Sequence, residues 1–202
     1  MTDVAIVAGG AAEITIPIAE RFAANGLDIG LLAASESAMK ETAHSIEAMG
    51  RSCILIETDL SDGESVAKAM ADVSAALGEP TVLVNAISTG AGADSDRFGA
   101  AVAGLRSAFV VGRASLDVLT VDGGGRLIHV VDGGEGHDLT LGDGLEGFTR
   151  TVAFEVKALR VTVNLVAPVS RSLTGYPDRA ADAVCLLAGR GADSLTGQTL
   201  RV

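Results

Sequence analysis

Short, nearly unbroken apolar runs recur along the chain and alternate with segments whose apolar residues return every three to four positions. The runs Val4–Ala8, Asp28–Ala33, Cys53–Thr58, Thr81–Ala86, Arg126–Val131, Val161–Ala167 and Gln198–Val202 predict seven strands. Because they are apolar at successive rather than alternate positions, the strands are expected to be buried on both faces, as in a parallel sheet covered by helices. Between them the helical period is plain, for example at Val66, Met70, Val73 and Leu77. Punctuation supports this segmentation. Pro17 suits the first turn of a helix, Gly26, Gly50 and Gly78 fall where helices stop, and Ser61-x-x-Glu64 has the spacing of a capping box. No repeat, linker or compositional break divides the chain, so residues 1–202 are read as one α/β domain.

Two of the helical segments carry more apolar residues than one buried stripe requires. In Phe98–Leu119 a narrow polar strip of Arg106, Arg113 and Asp117 is flanked by Val102, Leu105, Phe109, Val110, Val111, Leu116 and Leu119. The segment Thr140–Ala158 offers Leu141, Leu145, Phe148, Val152 and Val156. Such helices call for a partner besides the sheet, and association of subunits through residues 98–119 and 140–158 is expected, with Phe148 in the contact.

Composition narrows the function classes. With 15 Lys+Arg against 26 Asp+Glu, a net charge of −11, no Trp and one Tyr, the chain lacks the phosphate-neutralising field and stacking platforms of a nucleic-acid binder. Neither an apolar stretch of about 18 residues nor a basic, cleavable leader is visible, so no membrane partner and a cytoplasmic location are expected. Cys53 and Cys185 lie in apolar surroundings and are read as reduced, buried thiols.

Specific stretches in a specific order then make the chain similar to the short-chain dehydrogenase/reductase family along nearly its whole length. VAIVAGGAAEITIPIAERFAANGLDIGLLAAS resembles the family's opening strand, Gly-rich turn and helix, and Thr58–Leu60 its acidic dipeptide on the adenine side. VLVNAIS resembles the fourth strand, LEGFTRTVAFEV the long interface helix, VTVNLVAP the sixth strand and DSLTGQTLRV the closing turn and strand. The resemblance implies a three-layer, doubly wound Rossmann-like fold whose seven parallel strands run in the order 3-2-1-4-5-6-7.

The family's chemistry is matched far less well than its frame. The glycine pattern that lets a dinucleotide pyrophosphate approach the backbone keeps Gly9, but places Glu13 and Thr15 at the other two glycines. Ala33-Ala34 stand where the family reads a ribose, Pro168-Val169 where it has Pro-Gly, and Asp59 alone remains on the adenine side. The resemblance puts the family's catalytic Tyr and Lys at Asp138 and Gly142, its Asn at Gly104 and its Ser near Val131-Asp132. Tyr176 lies beyond the sixth strand, outside that motif. These substitutions predict a catalytically inert, structural or regulatory subunit with no bound cofactor and no catalytic residues. It would form a homo-oligomer, or a hetero-oligomer with an intact paralogue handling hydroxyacyl-CoA-type substrates.

One alternative rests on the polar residues near the carboxyl end of the fifth strand, where open α/β sheets bind ligands. Asp132, His137 and Asp138, with His129 nearby, would supply a general acid and base for a dehydratase, isomerase or cyclase, or for an oxidoreductase with an atypical site. The plainer reading makes His129 a hydrogen-bonded histidine within a strand and DGGEGHD a solvated loop. No metal-ligand spacing such as H-x-x-x-H is present, so no metal is expected, and Ser88 has no neighbouring base.

Overall fold

The computed structural model describes residues 3–9, 12–87, 97–121, 124–131, 139–169 and 175–202. Seven strands form one parallel sheet: β1 (Val4–Gly9), β2 (Asp28–Ala33), β3 (Cys53–Glu57), β4 (Pro80–Ile87), β5 (Arg126–Val131), β6 (Thr162–Ala167) and β7 (Thr199–Arg201). Their order is β3-β2-β1-β4-β5-β6-β7, the doubly wound arrangement expected above. The chain switches direction between β1 and β4, whose residues pair from Val4↔Pro80 to Gly9↔Ala86. In such sheets this switch opens a crevice at the carboxyl edge.

Among the described residues six α-helices cover the sheet. α1 (Ala12–Ala24), α2 (Lys40–Ala48) and α6 (Tyr176–Ala188) bury one core with Ile14, Ile18, Phe22, Leu31, Val84, Ile128 and Val184. α3 (Gly63–Leu77), α4 (Arg97–Leu119) and α5 (Leu139–Glu155) bury the other, with Met70, Val73, Val111, Leu127 and Val163 near its centre. The central strands are buried throughout, which is why they read as continuous apolar runs.

The glycine stops are as expected: Gly26, Gly50 and Gly78 take φ of 92°, 78° and 101°, a region that costs other residues dearly. Two local expectations shift. α1 begins at Ala12, so Pro17 lies inside the helix, where its missing N–H forgoes only the bond to the Glu13 carbonyl near a helix start. The cap of α3 is Asp62, whose carboxylate accepts from the Ser65 N–H at 3.0 Å, rather than Ser61. Ser61 instead donates its backbone N–H and its hydroxyl to Asp59, at 2.9 and 2.7 Å. Those two bonds hold the Asp59 carboxyl below its ordinary range and give this residue a structural task.

Among the described residues, no helix is long and apolar enough to cross a membrane. Cys53 and Cys185 are free and half-buried, and burial pushes both thiols up, Cys53 to about 12.

Candidate active site at the carboxyl edge of the sheet

Four strand ends and two helix starts converge at this edge: the ends of β1, β4, β5 and β6, the first turn of α1 and the first turn of α5. At the end of β1 the backbone is closely confined. A side-chain carbon on Gly9 would lie 2.8 Å from both the Cβ and the carbonyl oxygen of Ala86, and 3.0 Å from Thr15 Oγ1. Glycine is therefore required by the neighbouring strand itself. The same measurement explains Thr15. Its side chain is buried against β1 and occupies the room left by the absent Cβ of Gly9, so it fills helix-to-strand packing space rather than the edge.

Glu13 is exposed in the first turn of α1. Its carboxylate is solvated, so its repulsion toward a phosphate would be a screened one. The amino end of α1 still carries the unpaired N–H groups and positive dipole end that favour anions. Gly9 and the amino end of α1 thus flank this edge, with the exposed carboxylate of Glu13 beside them. On the adenine side, Ala33 is buried and Ala34 exposed, and the Asp59 carboxylate is occupied by Ser61.

The positions aligned with the family's catalytic residues have distinct surroundings. Gly104, at the family's Asn, receives a neighbour: a Cβ there would sit 2.9 Å from Leu141 Cδ1 and 3.2 Å from Ile87 Cγ2. A reciprocal fit occurs three residues along α5, where a Cβ on Gly144 would meet Leu105 at 3.1 Å. Gly104 and Gly144 thus let α4 and α5 interlock, each admitting a leucine of the other helix. Gly142, at the family's Lys, is buried, with nothing among the described residues within 4 Å of where a Cβ would be. Asp132, His137, Asp138 and Ser88 lie outside the described residues.

Of the polar residues expected near this end of β5, His129 is described. It lies in β5, fully buried, with its ring 5.6 Å from that of Phe148 on α5. Neither ring nitrogen has a hydrogen-bond partner among the described residues, in place of the hydrogen-bonded strand histidine expected. The residue paired with it on β4, Asn85, is equally buried, and its side-chain amide is unpartnered too. Burial alone drives the imidazole down to about 4. Phe148 is half-buried and its ring faces His129 from α5.

Sequence reasoning missed Tyr176. Only 3% exposed at the start of α6, it donates its hydroxyl proton to the carbonyl of Val131 at 2.7 Å. The bond joins the start of α6 to the last residue of β5, directly before Asp132. A Tyr-Pro pair opening a helix was the only local sign, and it names no partner.

Comparison with known proteins places these features. Residues 3–131 match the family described as short chain dehydrogenase. A short-chain dehydrogenase/reductase family member, NovK, from Streptomyces niveus is 34% identical, with 100% of this chain and 95% of that protein covered. The 3-oxoacyl-acyl-carrier-protein reductase FabG of Escherichia coli is 28% identical, covering 98% of this chain and 95% of its own length. Among solved structures, acetoin dehydrogenase from Enterobacter cloacae superimposes with a TM-score of 0.81 at 27% identity, covering 100% of this chain and 94% of that one. These matches overturn the expectation of a catalytically inert structural subunit. Proteins similar over the full chain are named as reductases and dehydrogenases, which points to an oxidoreductase.

Proposed function

This chain belongs to the short chain dehydrogenase family, and from that premise we propose that it is an oxidoreductase interconverting a hydroxyl and a carbonyl group at the carboxyl edge of its sheet. The observation that carries this reading is the match to named reductases and dehydrogenases from one end of the chain to the other, on the same fold. A nicotinamide dinucleotide would rest on Gly9 and the amino end of α1 and, when bound, supplies the hydride. The chain's own part is positional. Gly9 lets β1, β4 and α1 close together beneath that edge. Asp138, one residue before α5 and at the family's Tyr, is the proposed proton-exchanging group, with His137 beside it in sequence. The site is thus atypical for the family, and a cytoplasmic, single-domain protein fits the unbridged thiols and the single sheet.

The test is consumption of NADH or NADPH by the purified chain against a panel of small ketones and 3-oxoacyl thioesters. Turnover that Asp138→Asn reduces by roughly a hundredfold or more supports the assignment, a size typical of lost general acid–base catalysis. Absence of turnover with either cofactor across the panel would refute it. Glu13→Gln should tighten either dinucleotide by roughly five- to tenfold at low salt and less at high salt, since the interaction removed is a screened repulsion. Unchanged affinity would show that Glu13 stands clear of the phosphates.

Self-association belongs to the same reading. α4 exposes Phe98, Val102 and Phe109, which fall within about 40° of one another around a helix at 100° per residue. On the neighbouring helix α5, Phe154 is 82% exposed. A homo-oligomer covering these side chains would remove a costly apolar surface from water. Phe109→Glu with Phe154→Glu should yield monomers of unchanged fold by light scattering and circular dichroism. A wild type that is monomeric at tens of micromolar would exclude this contact.

A further inference from the structure

The opposite edge of the sheet carries a second cleft that the redox chemistry does not use. It has a volume of about 590 Å³, and its lining includes Arg126, Lys157, Arg160, Thr162, Ser194 and Thr196. Arg126 and Thr162 begin β5 and β6, so the cleft lies at the amino edge, a strand's length from the carboxyl-edge site. Its charge runs against that of the chain. In a protein of net charge −11, three cations line this cleft with one carboxylate among the described residues, Asp193, which pairs with Arg126. Lys157 and Arg160 are exposed and form no ion pair among the described residues.

Two further observations mark this cleft as more than a solvated surface. Arg126, which pairs with Asp193 through its terminal guanidinium nitrogen, and Thr162 place Nε and Oγ1 just beneath the cleft, enclosed and with no hydrogen-bond partner among the described residues. In addition, Arg160 adopts φ 59°, and the backbone of Gly124 presses against it so closely that a Cβ on Gly124 would lie 2.3 Å from the Arg160 carbonyl oxygen. The backbone therefore fixes Arg160 at the rim in a conformation disfavoured for a side-chain-bearing residue.

We propose that this amino-edge cleft binds a small phosphate-bearing molecule, held by Lys157 and Arg160 with the hydroxyls of Ser194 and Thr196. A guanidinium offers paired donors that match phosphate oxygens, an ammonium adds a compact charge, and hydroxyls complete the shell. The volume suits a metabolite of modest size rather than a bare ion. This inference is independent of the oxidoreductase reading, because none of these residues lies at the carboxyl edge.

The test is calorimetry with pyrophosphate and, separately, citrate, at fixed low ionic strength, on the wild type and on Lys157→Gln combined with Arg160→Asn. Asparagine is chosen because it tolerates the left-handed backbone at 160. Pyrophosphate affinity should fall by roughly tenfold or more in the double variant, the scale for losing two charge-assisted contacts, while thermal unfolding without ligand stays within a degree or two. Citrate should bind more weakly than pyrophosphate to the wild type. Pyrophosphate binding that is lost on Gly9→Ala but indifferent to the double variant would place the anion at the carboxyl edge and overturn the proposal. No pyrophosphate binding at millimolar concentration, or equal binding of citrate that the double variant leaves unchanged, would overturn it as well.

Discussion

Lowering the pH from 7 to 4 is expected to cost this protein about 3 kcal/mol through one residue, and His129→Leu should abolish that loss. His129 is fully buried and its imidazole is held down to about 4 by desolvation, against 6.5 as its ordinary value. The neutral ring is thus the folded form, while the unfolded chain takes up a proton as pH falls through 6.5. The unfolded state binds more protons across this window, so stability is intact above pH 6.5 and declines progressively to pH 4. No charged group is among the causes of the shift, and the neighbouring Asn85 offers only an amide. Leucine at 129 also removes two unpartnered buried nitrogens, so the variant should be more stable than wild type even at neutral pH, by about 1 kcal/mol or more. Urea unfolding at pH 7, 5.5 and 4 reads both effects. A stability difference between the two proteins that does not widen on acidification would rule out the buried neutral imidazole.

Gly9→Ala should destabilise the fold by about 3 kcal/mol, at the upper end for one added methyl in a packed interior. The contact at 2.8 Å includes the carbonyl oxygen of Ala86, a backbone atom that cannot rotate away, so β1 and β4 must separate where their ends frame the edge site. Dinucleotide binding should be lost in the same variant, since the strand end that would face it has moved. Gly147→Ala provides the contrast. It lies within α5 with nothing within 4 Å of the added carbon, and the helix should gain about 0.5–1 kcal/mol. If Gly9→Ala unfolds at the wild-type denaturant midpoint, the close approach is more yielding than its geometry implies.

The comparison of sequence and structure divides along a physical line. Strands buried on both faces announce themselves by continuous apolar runs, and helix ends by glycine, because burial and backbone freedom act residue by residue. Seven strands, their helices and the doubly wound order were therefore legible, and so was the family, through motifs in sequence order. The inference that failed was one from absence: substitutions at Glu13, Thr15, Asp138 and Gly142 suggested an inert protein, but an alignment names positions and not the space around them. Thr15 is accommodated by the missing side chain of Gly9, and Gly104 and Gly144 are sockets for Leu141 and Leu105. A helical period likewise puts Phe148 and Phe154 on an apolar helix without saying that the first meets His129 and the second meets water. Tyr176 reaches Val131 across 45 residues, and Arg126, Lys157 and Arg160 share a cleft only because β5 and β6 begin side by side. Local pattern fixed which residues are buried and which elements they build. Which side chains meet was decided by packing, since that depends on distances between elements that no single segment encodes.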